Sequence, residues 1–462
     1  MLNINNPSLI LKRLVLYFFF YMILEGIFRK WIFPSLSTQI YFVKDVFLII
    51  IYLIALKYNL IFKLKYSKLF IVFIIAISLF GFIGYDLSKN GIISYILGLR
   101  SYWLFLPLFL IIVHVYNKND LIKLIRLNLY LILPYFLLII LQSNLPGTSF
   151  LNSGFDGTLL SPERPSAFFT YTTQNSYYFL FLTVSLYSFI LDKKKLTSKD
   201  LIYLSILNFL LISVMILLKS RAVYFYTFAT IFYTTFFLII SNLEIKLKLK
   251  KIFLILIVSC VSFNFLSQSI FEDQYNYSEE RMNTDVAEKY DLVKDFGDTK
   301  TKFIPKILPN IITNEENIET ICLKFSSLCR VINMLYFYPA ISQSSLFGEG
   351  IGAGTKTVAI FNKIKAFFYL GELDNKRIIM ELGYIVGLFL VITKMLTAII
   401  LNFIVIFKYR DKNNLIYVPI VFFICTQLMI GTVTYTSSFI SFIFWFSLAL
   451  FFMSLKRENR NL

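Results

Sequence analysis

Apolar runs of about 17–25 residues recur along this chain, and a run of that length is what an α-helix needs to cross roughly 30 Å of hydrocarbon. They fall near residues 14–28, 40–56, 69–85, 99–116, 124–142, 174–191, 201–218, 222–241, 252–268, 380–407, 415–431 and 437–455. Composition agrees with them. Of 462 residues, 58% are hydrophobic and only 16% charged, whereas a soluble domain is about 25% charged. The expected fold is all-α, a polytopic membrane protein with about 12 transmembrane helices. The first run follows Lys12-Arg13 as a signal-peptide core would, but no small-residue cleavage site comes after it. Arg29-Lys30-Trp31 and another apolar run follow instead, so it reads as a retained helix.

The formal net charge of +18 suggests nucleic acid at first sight. The placement of the cations argues against it. Lysines and arginines cluster between apolar runs, at 57–68, 193–199, 246–251 and 408–412, which is how membrane proteins fix their orientation. Those clusters fall on alternate connections and put both termini in the cytoplasm. Two connections on the other side stand out. Residues 269–376 form a long polar loop with 15 of the 27 acidic residues, and loops this long are usually functional. The shorter segment 143–173 is dense in Pro and Gly, which argues against a helix there. The organisation expected is therefore 1–268 with nine spans, a large outer loop 269–376, and 377–462 with three more spans and a cytoplasmic tail. Within the loop, Ile321 to Tyr338 has helical apolar spacing.

Cys260 and Cys425 lie in apolar runs and read as packing residues, whereas Cys322 and Cys329 lie in the outer loop. Seven residues on one straight helix separate the latter pair by about 10.5 Å, so a disulfide needs the segment to bend. His114 is the only histidine, which excludes a His-based zinc centre by count, and there is no CxxC.

Four local patterns can carry chemistry, and all map to the outer side. Glu163-Arg164-Pro165-Ser166-Ala167-Phe168-Phe169, followed by Gln174-Asn175, enters a span. Its arginine is an interfacial anchor or a phosphate ligand, because the guanidinium fork matches phosphate oxygens. Lys219-Ser220-Arg221-Ala222 makes a tight turn with the same two readings. Arg330 precedes Phe347-Gly348-Glu349-Gly350-Ile351-Gly352-Ala353-Gly354. That glycine run fails both the GxGxxG and the Walker A registers, which leaves a backbone able to approach a ligand or a neighbouring helix closely. Asp374-Asn375-Lys376-Arg377, then Glu381-Leu382-Gly383 and Gly387, crowd charge at a span start. Acidic groups there also interact favourably with a helix dipole.

In this order the patterns resemble the O-antigen polymerase and O-antigen ligase superfamily, over about residues 95–455. The segment Glu25 to Pro34 is similar to that of exopolysaccharide-type polymerases. Ligases of the family carry a His before the Asn, where this chain has Asp374, which tilts the resemblance towards polymerase. Ala167 stands where a Gly is common and puts a close backbone approach in doubt there.

The resemblance implies a glycosyltransferase in a bacterial inner membrane. It would transfer a growing glycan from undecaprenyl pyrophosphate to the terminal sugar of a lipid-linked repeat unit at the periplasmic face. Partners would be that lipid-linked oligosaccharide, membrane lipid and a chain-length regulator. No cofactor or metal is implied, because the donor carries its own diphosphate. Arg164, Arg221 and Arg330 would bind the pyrophosphate, Asp374 and then Glu381 would serve as base, and Asn175, Gly350, Gly352, Asn375 and Arg377 would line the substrate. Lys394, inside an apolar run, is expected to snorkel or to pair with Glu25 or Asp45. An O-antigen ligase and a lipid-oligosaccharide flippase or transporter are the competing readings.

Overall fold

The computed structural model describes residues 7–63, 67–84, 87–154, 164–273, 275–276, 337–354, 374–409, 415–430 and 437–458. Among these every regular element is a helix. Among the described residues nine helical stretches are long and apolar enough to cross a membrane, so the chain is an all-α, multi-pass membrane protein. The helices, in chain order, are α1 (Pro7–Ile27, prolonged by a π turn Phe28–Ile32), α2 (Ser37–Lys57), α3 (Ser67–Ile83), α4 (Leu87–Trp103), α5 (Leu106–Val115), α6 (Lys118–Tyr130) and α7 (Ile132–Asn144). Then come α8 (Thr172–Asp192), α9 (Ser198–Leu217), α10 (Arg221–Ile240), α11 (Ile245–Ile270), α12 (Tyr338–Gln343), α13 (Asp374–Tyr409), α14 (Tyr417–Ile430) and α15 (Ser438–Glu458).

The apolar runs fall on helical residues, with three corrections, the first that 124–142 is divided at Leu131 between α6 and α7. The run 99–116 is not one helix, because the chain breaks between α4 and α5 with Pro107 in the first turn of α5. Proline has no N–H to give and suits a first turn. The run 380–407 starts late and hides a reversal. α13 begins at Asp374 and is interrupted by Gly383 at φ 77°. A Cβ on Gly387 would lie 2.5 Å from Ile379 Cα, although eight residues on a straight helix span about 12 Å. The half-helix 374–382 therefore folds back along 384–394. The expected boundary at 376/377 falls inside it.

The core forms around α8, whose residues from Tyr177 to Leu191 are all buried. Lipid tails are as apolar as side chains, so helices associate by packing rather than by hydrophobic exclusion. Phenylalanines supply that packing: Phe18 and Phe442 meet edge to face at 5.2 Å, and Phe19 lies 5.2 Å from Phe446. Hydroxyls inside α10 bond back one turn, Thr227 to Val223 O and Thr230 to Tyr226 O, so these two are satisfied within the helix. Cys425 is buried as expected, but Cys260 is exposed on α11 and is not a core residue.

The polar groups separate by end. One end carries the lysine clusters and the pairs Lys12–Asp120, Lys118–Asp192 and Lys193–Asp200. There α6 and α9 start in capping boxes, Asn117 with Asp120 and Thr197 with Asp200. The opposite end gathers the close of α1, α7 and α14 with the start of α2, α8, α13 and α15.

Candidate functional site

The reversal of α13 builds the main constellation. Asp374, Asn375, Arg377 and Glu381 lie on the half-helix and are buried. Lys394, on the other arm, donates to Asp374 Oδ2 at 2.9 Å and to Asn375 Oδ1 at 2.8 Å. Arg377 Nη2 donates to Asp374 Oδ1 at 3.2 Å, and its Nε lies 3.9 Å from Glu381 Oε1. The Tyr102 hydroxyl of α4 donates to Glu381 Oε2 at 2.6 Å. Asn375 Nδ2 donates to Met429 O at 2.8 Å, which ties the half-helix to the end of α14. The expected pairing of Lys394 is corrected by these bonds. Glu25 is taken by Arg29 and Lys44, and Asp45 by Arg100.

The glycine run closes the break in α13. A helix that ends at 382 leaves its last carbonyls without donors. Glu349 N–H fills Met380 O and Gly350 N–H fills Glu381 O, both at 2.9 Å, and Gly354 N–H reaches Glu381 Oε1 at 3.0 Å. Gly348, Gly350 and Gly352 all have positive φ. Of the two readings left by the sequence, the close approach is to a neighbouring helix. The Glu381 carboxylate is thus tied to both sides, to Gly354 N–H through Oε1 and to the Tyr102 hydroxyl through Oε2.

A second constellation holds the loop after Arg164. Asn175 Nδ2 donates to Pro165 O at 2.7 Å and its Oδ1 accepts from the Tyr135 hydroxyl. Ala167 N–H donates to Gln142 Oε1 at 2.8 Å. Lys30 donates to Ser166 Oγ at 2.9 Å and to Ala167 O at 2.8 Å. Gly26 admits the loop, since a Cβ there would stand 2.0 Å from Phe168 O. The close approach doubted at Ala167 is thus made, with the glycine on α1 and Ala167 itself held at φ 48°. Arg164 stands exposed at the start of this loop.

The structure therefore brings Asp374, Asn375, Arg377, Glu381, Gly350 and Gly352 together, and gives Asn175 to the Arg164 loop. Arg221 opens α10, half-buried, after a turn in which Lys219 has φ 47°. Arg330, Glu163, Cys322, Cys329 and most of the loop 269–376 lie outside the described residues. Sequence reasoning set Lys394 aside and missed Tyr102. The first had a signal, a lysine inside an apolar run, whereas nothing marks Tyr102 among 30 tyrosines. The start of α15 touches α8 and α2: Ser437 Oγ, just before it, accepts from Gln174 Nε2 at 3.1 Å, and Ser438 Oγ meets the Tyr41 hydroxyl at 3.2 Å. No family model, curated protein or solved structure matches this chain.

Proposed function

We propose that this chain is a polysaccharide polymerase of the O-antigen polymerase type, with twelve spans in a bacterial inner membrane and both termini cytoplasmic. It transfers a growing glycan from undecaprenyl pyrophosphate to the terminal sugar of a lipid-linked repeat unit. The observation that carries the reading is the buried cluster Asp374–Lys394–Arg377–Glu381 on a reversed half-helix, at the same end as the arginine loop. Buried charge in a membrane protein is costly and marks function more often than structure.

In this reaction an acceptor hydroxyl oxygen attacks the donor's anomeric carbon. The bond from that carbon to the diphosphate oxygen breaks and its electron pair leaves with the diphosphate. The hydroxyl proton passes to Asp374, for which the pair with Lys394 has to open. Arg164, Arg221 and Arg330 meet the charge that develops on the leaving group. Glu381 keeps the glycine loop and the half-helix in place.

A broken helix next to buried charge is also how transporters build substrate sites, so a flippase is the second reading. One reconstitution separates them. Purified protein is given a synthetic undecaprenyl-pyrophosphate repeat from the source organism's own polysaccharide, and products are run on a gel. A ladder of lipid-linked oligomers, lost in Arg164→Ala and Arg221→Ala proteins that still fold, is the expected result. Movement of the lipid across a proteoliposome without a ladder sinks the enzyme and promotes the transporter.

A further inference from the structure

At the lysine-rich end of the bundle, α11 changes character within a few turns. It opens with Ile245-Lys246-Leu247-Lys248-Leu249-Lys250-Lys251-Ile252 and continues in a π turn, Phe253–Ile257. Lys251 is 1% exposed and donates to Leu191 O at 3.0 Å, which fastens this part of α11 to the close of α8. Lys246 and Lys250 stay at the surface. An open groove of about 470 Å³ separates the π turn from the first turn of α9, lined by Leu201, Leu249, Lys250, Ile252, Phe253 and Ile257. That volume falls within the range of about 300–1,000 Å³ usual for ligand pockets.

Charge and apolar surface are ordered along the helix axis. Lys246, Lys250, Phe253 and Ile257 follow one another at intervals of four, three and four residues, which places them on one face. From Lys250 to Ile257 is about 10.5 Å along a helix. Phe253 and Ile257 are 61% and 46% exposed, as suits side chains that meet hydrocarbon. Lys246 and Lys250 form no ion pair among the described residues, unlike Lys193, which holds Asp200, and Lys118, which holds Asp192. The remaining carboxylate of this turn, Glu244, is exposed at the start of α11. Lysines that only orient a helix need no groove beside them. A groove that only takes up an acyl chain needs no cation in its wall. The two together match a phospholipid with a net negative headgroup, and basic pockets between spans bind such headgroups.

We propose that the groove between α9 and α11 holds one anionic phospholipid, with an acyl chain along Leu201, Phe253 and Ile257 and the phosphate at Lys250 and Lys246. The site lies at the opposite end of the bundle from the α13 cluster and does not depend on the polymerase reading. Each lysine near a membrane surface contributes about fivefold in affinity for an anionic headgroup. A zwitterionic lipid of equal chain length offers the same tail to the groove and forfeits that gain.

Lipid retention by the purified full-length protein tests the site. Native mass spectrometry in detergent is run with phosphatidylglycerol and with phosphatidylcholine of matched chains. One phosphatidylglycerol should be held about tenfold or more tightly than phosphatidylcholine. Lys250→Gln should lower that preference about fivefold, whereas Lys194→Gln, at an exposed lysine outside the groove, should leave it unchanged. Leu201→Trp fills the groove and should release the tightly held lipid, while melting temperatures in the same detergent show that each variant is folded. Equal retention of the two lipids by the wild-type protein overturns the proposal, whatever the variants do. Equal losses in Lys194→Gln and Lys250→Gln overturn it as well, since the attraction then belongs to the whole lysine-rich end. Undiminished phosphatidylglycerol retention by folded Leu201→Trp puts the lipid elsewhere and has the same consequence.

Discussion

The glycine loop at 344–354 and the arginine loop at 164–171 sit at the same end of the bundle but are held by different means. The first is held by main chain: Glu349 and Gly350 N–H groups fill the carbonyls that the reversal of α13 leaves open. The second is held by side chains, with Asn175, Gln142 and Lys30 each reaching a backbone atom of the loop. Where backbone meets backbone this closely a Cβ does not fit, as at Gly348, where one would lie 2.3 Å from Gly383 N, whereas a loop fixed by side chains keeps its own residues variable. That difference suits a scaffold for buried carboxylates in the first case and a ligand loop in the second.

The largest effect expected is Gly383→Ala. Its φ of 77° is unfavourable for any L-residue, and a Cβ there would stand 2.1 Å from Leu346 O, a backbone atom that cannot move aside. Strain and overlap together should cost about 4 kcal/mol or more. The check is thermal unfolding in detergent. A Gly383→Ala protein that melts with wild type means that α13 does not reverse at this glycine. Next comes Lys394→Met, which removes one of two cations from a carboxylate with 0% side-chain exposure. Breaking one side of a buried pair costs about 3–5 kcal/mol. A fraction that still folds should form glycan ladders about 100-fold more slowly, because Asp374 loses its position. Unchanged ladder rates in folded Lys394→Met would remove the α13 cluster from the reaction.

These two substitutions also mark where the sequence stops being legible. The membrane class was readable because hydrocarbon demands long apolar runs, and nine helical stretches among the described residues are long and apolar enough to cross. The role of Lys394 was not readable, because Asp374 lies 20 residues before it. On a straight helix that is about 30 Å, and only a reversal brings the two within 2.9 Å. Gly383 and Gly387 held the clue, but a glycine in an apolar run looks the same whether it packs or turns. Asn175 bonds the loop that follows Arg164, at Pro165 O. It is 0% exposed and holds the loop from beneath. Spacing reveals that two residues belong together but not which of them faces the ligand.

On the side-chain-held loop the effects should be smaller and local. Asn175→Ala removes the bonds to Pro165 O and the Tyr135 hydroxyl and leaves buried groups unpaired, a loss of about 1–3 kcal/mol. Hydrogen exchange should rise across 164–171 while the half-helix 374–382 keeps its protection. Equal deprotection of both regions would show that the two loops are not independently braced.

Ala167→Gly should have the smallest effect and the opposite sign. Ala167 is 0% exposed and sits at φ 48°, where the steric penalty for a non-glycine residue is about 1–2 kcal/mol. Glycine removes that penalty but loses about 0.5–1 kcal/mol through the freedom it gains in the unfolded chain. The difference is a stabilisation of about 0.5–1 kcal/mol. No polar partner changes, because the loop is held at Ala167 through its N–H and carbonyl, to Gln142 and Lys30. The same substitution on the glycine loop, run backwards, is severe, since a Cβ on Gly348 would lie 2.3 Å from Gly383 N. A melting temperature for Ala167→Gly below that of wild type would mean that the alanine methyl packs the loop onto α1, and that side-chain contact there outweighs backbone strain.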